Sequence, residues 1–199
     1  MEGDSRSTAS PCHVQPDTRP PPPPRFQDLA DNPHETYVLM LPGTDQSGIN
    51  VDFDWSRHLP DDVPLDRRSH DKVLDLLFKF FTSWCFQMVP ALFLRDMFCA
   101  LSVPRSQPIP KTAHYSPMLH NALLALALAF SDDDRLKDLK TRKYFAKAAK
   151  DLIEIECQKP HLSTVHALSI LGSFHSSQGE QTLGYMYFGK HTLLLLDIR

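Results

Sequence analysis

From residue 114 onward, apolar positions recur every three or four residues with few turn residues between them. This is the pattern of consecutive amphipathic helices. Ser116-Pro117 reads as an N-cap followed by proline at the first helical position, where its missing N–H costs nothing. The helix it opens runs through Asn121-Ala122-Leu123-Leu124-Ala125-Leu126-Ala127 and is apolar nearly all round, which predicts a central position. Asp132-Asp133-Asp134 closes it and places negative charge near the start of the next helix. That helix, about 136–158, puts Phe145, Ala148, Ala149, Leu152 and Ile155 on one face, and Pro160 ends it. Ser163 is the expected cap of a further helix ending at Gly179, with Val165, Leu168 and Leu171 inward. A last helix, about 181–198, is expected to bury Leu183, Met186, Tyr187 and Leu194.

Upstream, Val73, Leu76, Leu77, Phe80, Phe81 and Trp84 recur at helical spacing behind Ser69, the expected N-cap. Pro90 ends or kinks this helix, and a shorter one resumes over 91–101. Pro104, Pro108 and Pro110 predict a stiff loop. In the segment 34–57, Ile49, Val51, Phe53 and Trp55 alternate with Asn50, Asp52 and Asp54. Two readings stand there: a short hairpin packed on the helices, or an acidic-aromatic disordered segment. Residues 1–33 carry five consecutive prolines, Pro20 to Pro24, and predict a disordered tail. Its Pro-x-x-Pro-x-Arg pattern reads as a polyproline II spacer or as a docking ligand. The fold class expected is all-α: an antiparallel helical array over 58–199.

Composition narrows the function more by exclusion than by assignment. The 199 residues carry a formal net charge of -3, so no global basic footprint marks a nucleic-acid partner. The longest apolar run, Ala122–Phe130, is nine residues, far below the roughly 20 a membrane span requires. Glu2 and Asp4 stand where a secretory signal would be basic. Cys12, Cys85, Cys99 and Cys157 are scattered, which predicts reduced thiols. No Cys-x-x-Cys exists, and His161 and His166 have no cysteine pair to join, so no metal ligands are assigned. A Gly-x-Ser-x-Gly elbow is absent, and Asp132–Asp134 lacks the spacing of a calcium loop, so no catalytic residues are assigned.

Two candidate surfaces remain. Lys140, Lys143, Lys147 and Lys150 fall on one helix face, which reads as a solvated face or as a contact to an acidic partner or DNA phosphates. Phe78, Phe80, Phe81, Trp84, Phe86, Phe93 and Phe98 crowd one stretch, which reads as core or as the wall of an effector pocket. The pocket reading takes Phe81, Trp84 and Phe93 as walls and His175, Tyr185 and Tyr187 as polar handles.

Four motifs in order carry a family resemblance. They are His70-Asp71-Lys72-Val73-Leu74-Asp75-Leu76-Leu77 with Phe93-Leu94-Arg95-Asp96-Met97, then His114-Tyr115-Ser116-Pro117 through Asn121-Ala122. Pro160-His161-Leu162-Ser163-Thr164-Val165-His166-Ala167-Leu168 and Gly184-Tyr185-Met186-Tyr187-Phe188-Gly189 complete the set. Together, over about 58–198, they resemble the fungal-specific transcription factor domain, the middle homology or xylanolytic-activator regulatory region. His166 stands for the family's glutamine and Tyr185 for its tryptophan. The resemblance implies a nuclear, non-enzymatic regulatory region that modulates transcription through protein partners of the transcription machinery or self-association, and that can sense a small-molecule effector. In that family DNA is bound by a zinc cluster. This sequence carries none, so DNA contact falls to a missing module, and no cofactor is assigned within the chain. The chain stops just after Leu193–Leu196, where the family domain continues, so a fragment is expected. The alternatives are a helical adaptor without DNA binding and, more remotely, a small-molecule-binding or enzymatic helical domain.

Overall fold

The structure, a computed structural model, describes residues 53–82 and 88–197. The Pro-rich tail, most of the expected hairpin, Trp84 and Cys85 lie outside the described residues. Among the described residues there is no strand, and no helix is long and apolar enough to cross a membrane. Of the last positions of the expected hairpin, Phe53 lies in irregular chain and Trp55 in the turn that follows. Phe53 is buried edge-on to Phe98 at 4.6 Å and lies under the Arg67 guanidinium. Its burial is that of a packed segment without strand pairing.

Helix α1 spans Arg67–Leu77. Its N-cap is Asp66, whose carboxylate accepts from the Ser69 N–H at 2.8 Å and the Ser69 hydroxyl at 2.9 Å. Ser69 is therefore a donor in the first turn, not the cap. Aspartate competes well for this place because an anion also answers the positive helix end. A π-helical turn, Phe78–Thr82, follows. Its wider turn advances the buried stripe by one residue, so Leu77 and Phe78 point inward while Phe80 is 61% exposed. The strict 3.6 spacing had placed Phe80 inside.

Helix α2, Pro90–Leu101, starts on its proline and buries Phe93, Leu94, Met97, Ala100 and Leu101. The proline loop after it is held by Arg57. This one guanidinium donates to the carbonyls of Val103 (2.9 Å), Pro104 (3.4 Å), Arg105 (3.2 Å) and Gln107 (2.7 Å). Arg105 in turn pairs with Asp54. Helix α3, Pro117–Ala127, is the central element. Ser116 caps it by accepting from the Leu119 N–H, and every residue from Met118 to Ala127 is buried. A 3-10 turn, Leu128–Phe130, ends it.

The single helix expected over 136–158 is three: α4 (Asp134–Lys137), α5 (Leu139–Asp151) and α6 (Ile153–Glu156). Asp133 caps α4, and Asp138, in an extended conformation at ψ 138°, caps α5. Two aspartates five residues apart each compete for backbone N–H groups, which explains the break. The second break, at Leu152, rotates α6. Ile155, expected on the inner face with Phe145 and Ala149, is 62% exposed.

Helix α7, Leu162–Ser177, begins at His161, with the Thr164 hydroxyl accepting from the His161 N–H at 3.3 Å. Ser163, the expected cap, is buried inside the first turn, and its N–H donates to the Ala113 carbonyl at 2.8 Å. The helix ends at Gly179, which adopts the left-handed φ of 79°. There the Glu180 N–H reaches the His175 carbonyl and the Gly179 N–H reaches the Ser176 carbonyl, the pair of bonds of a Schellman ending. The chain reverses into α8, Gln181–Asp197. Gly172 faces Phe188 and Gly184 faces Ser176, so the pair is antiparallel. A Cβ on Gly184 would overlap the Ser176 hydroxyl and stand 3.1 Å from the Gly172 carbonyl oxygen, so glycine allows this approach. Helices α1, α5 and α7 surround α3, and α8 packs on α7. Tyr187 is buried as expected, whereas Met186 is exposed.

A candidate ligand cleft beside a buried polar chain

The expected pocket residues do not converge. Phe93 is fully buried in the core against Phe78 and Tyr115. Phe81 lines a separate cavity of about 330 Å³ with Leu126, Phe130 and Arg142. His175 and Tyr187 do meet, stacked at 5.4 Å and 20°, but as a lock on the α7–α8 turn. There His175 Nδ1 pairs with Glu180, which also takes Lys143 Nζ at 3.3 Å. Tyr185 is 71% exposed and faces away from this lock. Trp84 lies outside the described residues.

The lysine stripe is a surface feature. Lys140, Lys143 and Lys147 are exposed and Lys150 partly so. Lys143 and Lys147 are paired, the latter with Asp151 at 3.0 Å. Arg142 turns inward instead. Its Nε donates to the Ala125 carbonyl at 2.9 Å, its guanidinium lies over the Phe174 ring, and burial lowers its pKa.

What sequence spacing did not reveal is a polar chain buried between α1 and α3. Arg67 Nε donates to Asp71 at 2.7 Å, and Asp71 accepts from His70 Nδ1 at 2.7 Å. The carboxylate thus sets the tautomer: His70 Nε2 carries no proton and accepts from His120 Nε2 at 2.8 Å. His120 Nδ1 is then the acceptor for the Tyr115 hydroxyl at 3.5 Å. Every ring nitrogen has one role and one partner. Burial holds both imidazoles below their usual range, His120 furthest, because its neighbours His70 and His58 add repulsion. Asn121, one turn from the start of α3, donates to the His58 and Pro117 carbonyls at 2.8 and 2.9 Å and pins the segment before α1. The nearest sequence signal was the His70-Asp71 pair; its partner is fifty residues away.

Tyr115 also forms part of a cleft of about 190 Å³. One side is the loop of Ile109, Pro110 and Lys111; the other is Leu152, Ile155, Glu156 and Lys159. Glu156 Oε1 accepts from the Met118 N–H at 3.0 Å, so this carboxyl stands at the start of α3. Its Oε2 is shut off from solvent and has no hydrogen-bond partner. Burial pushes the Glu156 carboxyl above its usual range, against the Ser116 hydroxyl and the Met118 N–H, which pull it down. The same carboxylate, after burial itself, pushes the Tyr115 hydroxyl up. Asp96 anchors the loop from the α2 side. Burial would raise it, but Arg95 and the His114 groups outweigh this and hold it low. Nothing local marked Glu156, because a glutamate near the end of an expected helix reads as a solvated side chain. Among the described residues no three His, Cys, Asp or Glu side chains gather as a metal site. The cleft combines apolar walls, a largely buried carboxyl whose second oxygen is sealed from solvent, and lysines at the rim.

The model of the fungal specific transcription factor domain matches residues 74–197. The chain is also 31% identical over 115 residues to the nitrogen assimilation transcription factor nit-4 of Neurospora crassa, across 54% of this chain and 10% of that protein. It thus spans about a tenth of the length of that relative. No solved structure matches the chain. The chain belongs to the fungal specific transcription factor domain family.

Proposed function

We propose that this chain is the regulatory, non-DNA-contacting helical region of a fungal zinc-cluster transcription factor, acting in the nucleus through protein contacts. Family membership and the similarity to a transcription factor support a role in transcription regulation. The observation that carries the protein-contact reading is the outer face of α8. Tyr185, Met186, Leu193 and Leu196 stand on it at helical spacing, with Leu193 68% exposed. An uncovered apolar stripe of this kind marks an interaction surface. A protein partner is its occupant in this reading, with DNA reached only through another module.

The test fuses the chain to an unrelated DNA-binding domain in a yeast reporter strain. The fusion is expected to change reporter output severalfold, and the double substitution Leu193→Ser with Leu196→Ser to abolish the change while leaving the melting temperature intact. A fusion with no effect on output would return the chain to a helical adaptor. Sedimentation of the purified chain separates a foreign partner from self-association.

A further inference from the structure

Arg142 is a half-buried cation without a counter-ion. From α5 it turns toward the end of α3, where its Nε donates to the Ala125 carbonyl at 2.9 Å and its guanidinium lies over the Phe174 ring. Lys143 and Lys147 on the same helix are paired with Glu180 and Asp151, but among the described residues no carboxylate pairs with Arg142. Its Nη1 and Nη2 N–H groups have no partner there, and both nitrogens are open to solvent. Burial lowers its pKa with no charged neighbour to offset it. The end of α7 does not claim these donors. The Gly179 and Glu180 N–H groups take the Ser176 and His175 carbonyls, and the Ser177 hydroxyl donates to the Phe174 carbonyl at 2.7 Å. An unpaired cation this far from bulk water is costly, and the planar fork of arginine matches a carboxylate through two parallel N–H bonds.

The same side chain lines the cavity of about 330 Å³ at this junction, a size within the range of small-molecule sites. Phe81 from the π turn, Leu126 from α3, and Ala129 and Phe130 from the 3-10 turn form its apolar walls. Phe130 is 37% exposed, so its ring keeps apolar surface for a further contact. Gln178 adds an amide whose Nε2 spends one N–H on Ser177 Oγ at 3.0 Å and keeps a second to give. Among the described residues the lining contains no Asp or Glu. The lone cation repels an amine, and the aromatic walls give nothing to a bare inorganic anion. One negative charge on an apolar body satisfies both ends.

We propose that this cavity binds a small monocarboxylate with an apolar body, its carboxylate on the Nη1 and Nη2 N–H groups of Arg142 and its carbon body against Phe81, Leu126 and Phe130. Because Arg142 also holds the Ala125 carbonyl, and Gln178 closes α7, occupancy bears on the place where α3, α5 and α7 meet. The site stands apart from the α8 face, and neither depends on the other.

The test is isothermal titration calorimetry of the full chain with three probes: phenylacetate, phenylacetamide of the same shape without the charge, and acetate without the apolar body. Phenylacetate is expected to bind, and each analogue to bind roughly tenfold more weakly or worse, since each lacks one of the two contacts. Arg142→Gln removes the charge and the fork, and should weaken phenylacetate by roughly tenfold or more. Ala129→Leu leaves Arg142 in place and fills the cavity from a half-buried position. It should weaken phenylacetate severalfold while the melting temperature stays near that of the parent chain, and it decides the matter if Arg142→Gln does not fold. The proposal is overturned if phenylacetate does not bind, if either analogue matches it, or if Ala129→Leu and a folded Arg142→Gln bind it like the parent chain.

Discussion

Helices α3 and α8 are both apolar on nearly every side, yet they end in opposite environments. In α3 all ten positions from Met118 to Ala127 are buried. In α8, Gly184 and Tyr187 are buried, Leu183 and Leu194 are partly so, and Tyr185, Met186, Leu193, Leu195 and Leu196 face outward. The difference lies in the neighbours. α3 is flanked by α1, α5 and α7, whereas α8 rests on α7. The same side chain therefore stabilises the fold in one helix and is held in reserve in the other. Hydrophobic burial depends on the area removed from water, not on residue type.

The sharpest way to break the comparison is a leucine in each helix. Leu124→Ala in α3 should cost about 2–5 kcal/mol, read as a fall in the urea midpoint, because the enclosed site cannot collapse around the cavity. Acid should act next. His70 on α1 and His120 on α3 have folded pKa values below 6.5, and burial pulls His166 down to about 4. The unfolded chain binds these protons and the native chain does not. Stability is thus complete above pH 6.5 and falls as pH drops, by roughly 1.4 kcal/mol per pH unit for each histidine. For His166 the loss ends near pH 4. Glu156 has the opposite sign. Its raised pKa contributes stability at low pH that is lost as pH rises above 4.5 through its folded value, so it softens the acid transition. A denaturant series across pH 4–8 reads the net slope. A flat profile would mean that the polar chain is not sealed from water.

Smaller effects resolve the two faces of α8 itself. Gly184→Ala, on the face against α7, should cost about 1–3 kcal/mol in thermal unfolding because the helices must separate. Gly189→Ala, with open space around its Cβ, should gain up to about 1 kcal/mol from helix propensity. Leu193→Ser should lie within about 0.5 kcal/mol of the parent chain. A larger loss from Leu193→Ser would show that the outer face already has a cover.

The readable parts of the fold were those where chemistry acts over a few residues. Ser116-Pro117 capped a helix as expected, Gly179 took the left-handed turn, and the all-round apolar run at 118–127 became the centre. Errors arose where two local solutions competed. Asp66 displaced Ser69 as a cap three residues away, and Ser163 yielded to His161 with Thr164. Asp138 broke a helix that periodicity alone would continue, and the π turn at Phe78–Thr82 moved Phe80 outward. In the site, the aromatic residues were recognised but their grouping was not, since Phe81, Phe93, Tyr185 and Tyr187 fall in four different surroundings. Glu156 escaped notice because its meaning depends on Met118, thirty-eight residues away.

The sequence by itself determined that this protein is helical, where its principal helices run, and which family it belongs to, because caps, breakers and periodicity are written within one or two turns. Tertiary structure alone decided which apolar faces are covered and which polar groups meet. Whether Leu124 or Leu193 is buried depends on how many helices surround its own. Whether His70 finds His120, or Glu156 keeps an unpaired oxygen, depends on contacts between segments far apart in the chain. Such contacts have no local energy signature and exist only once the helices have packed.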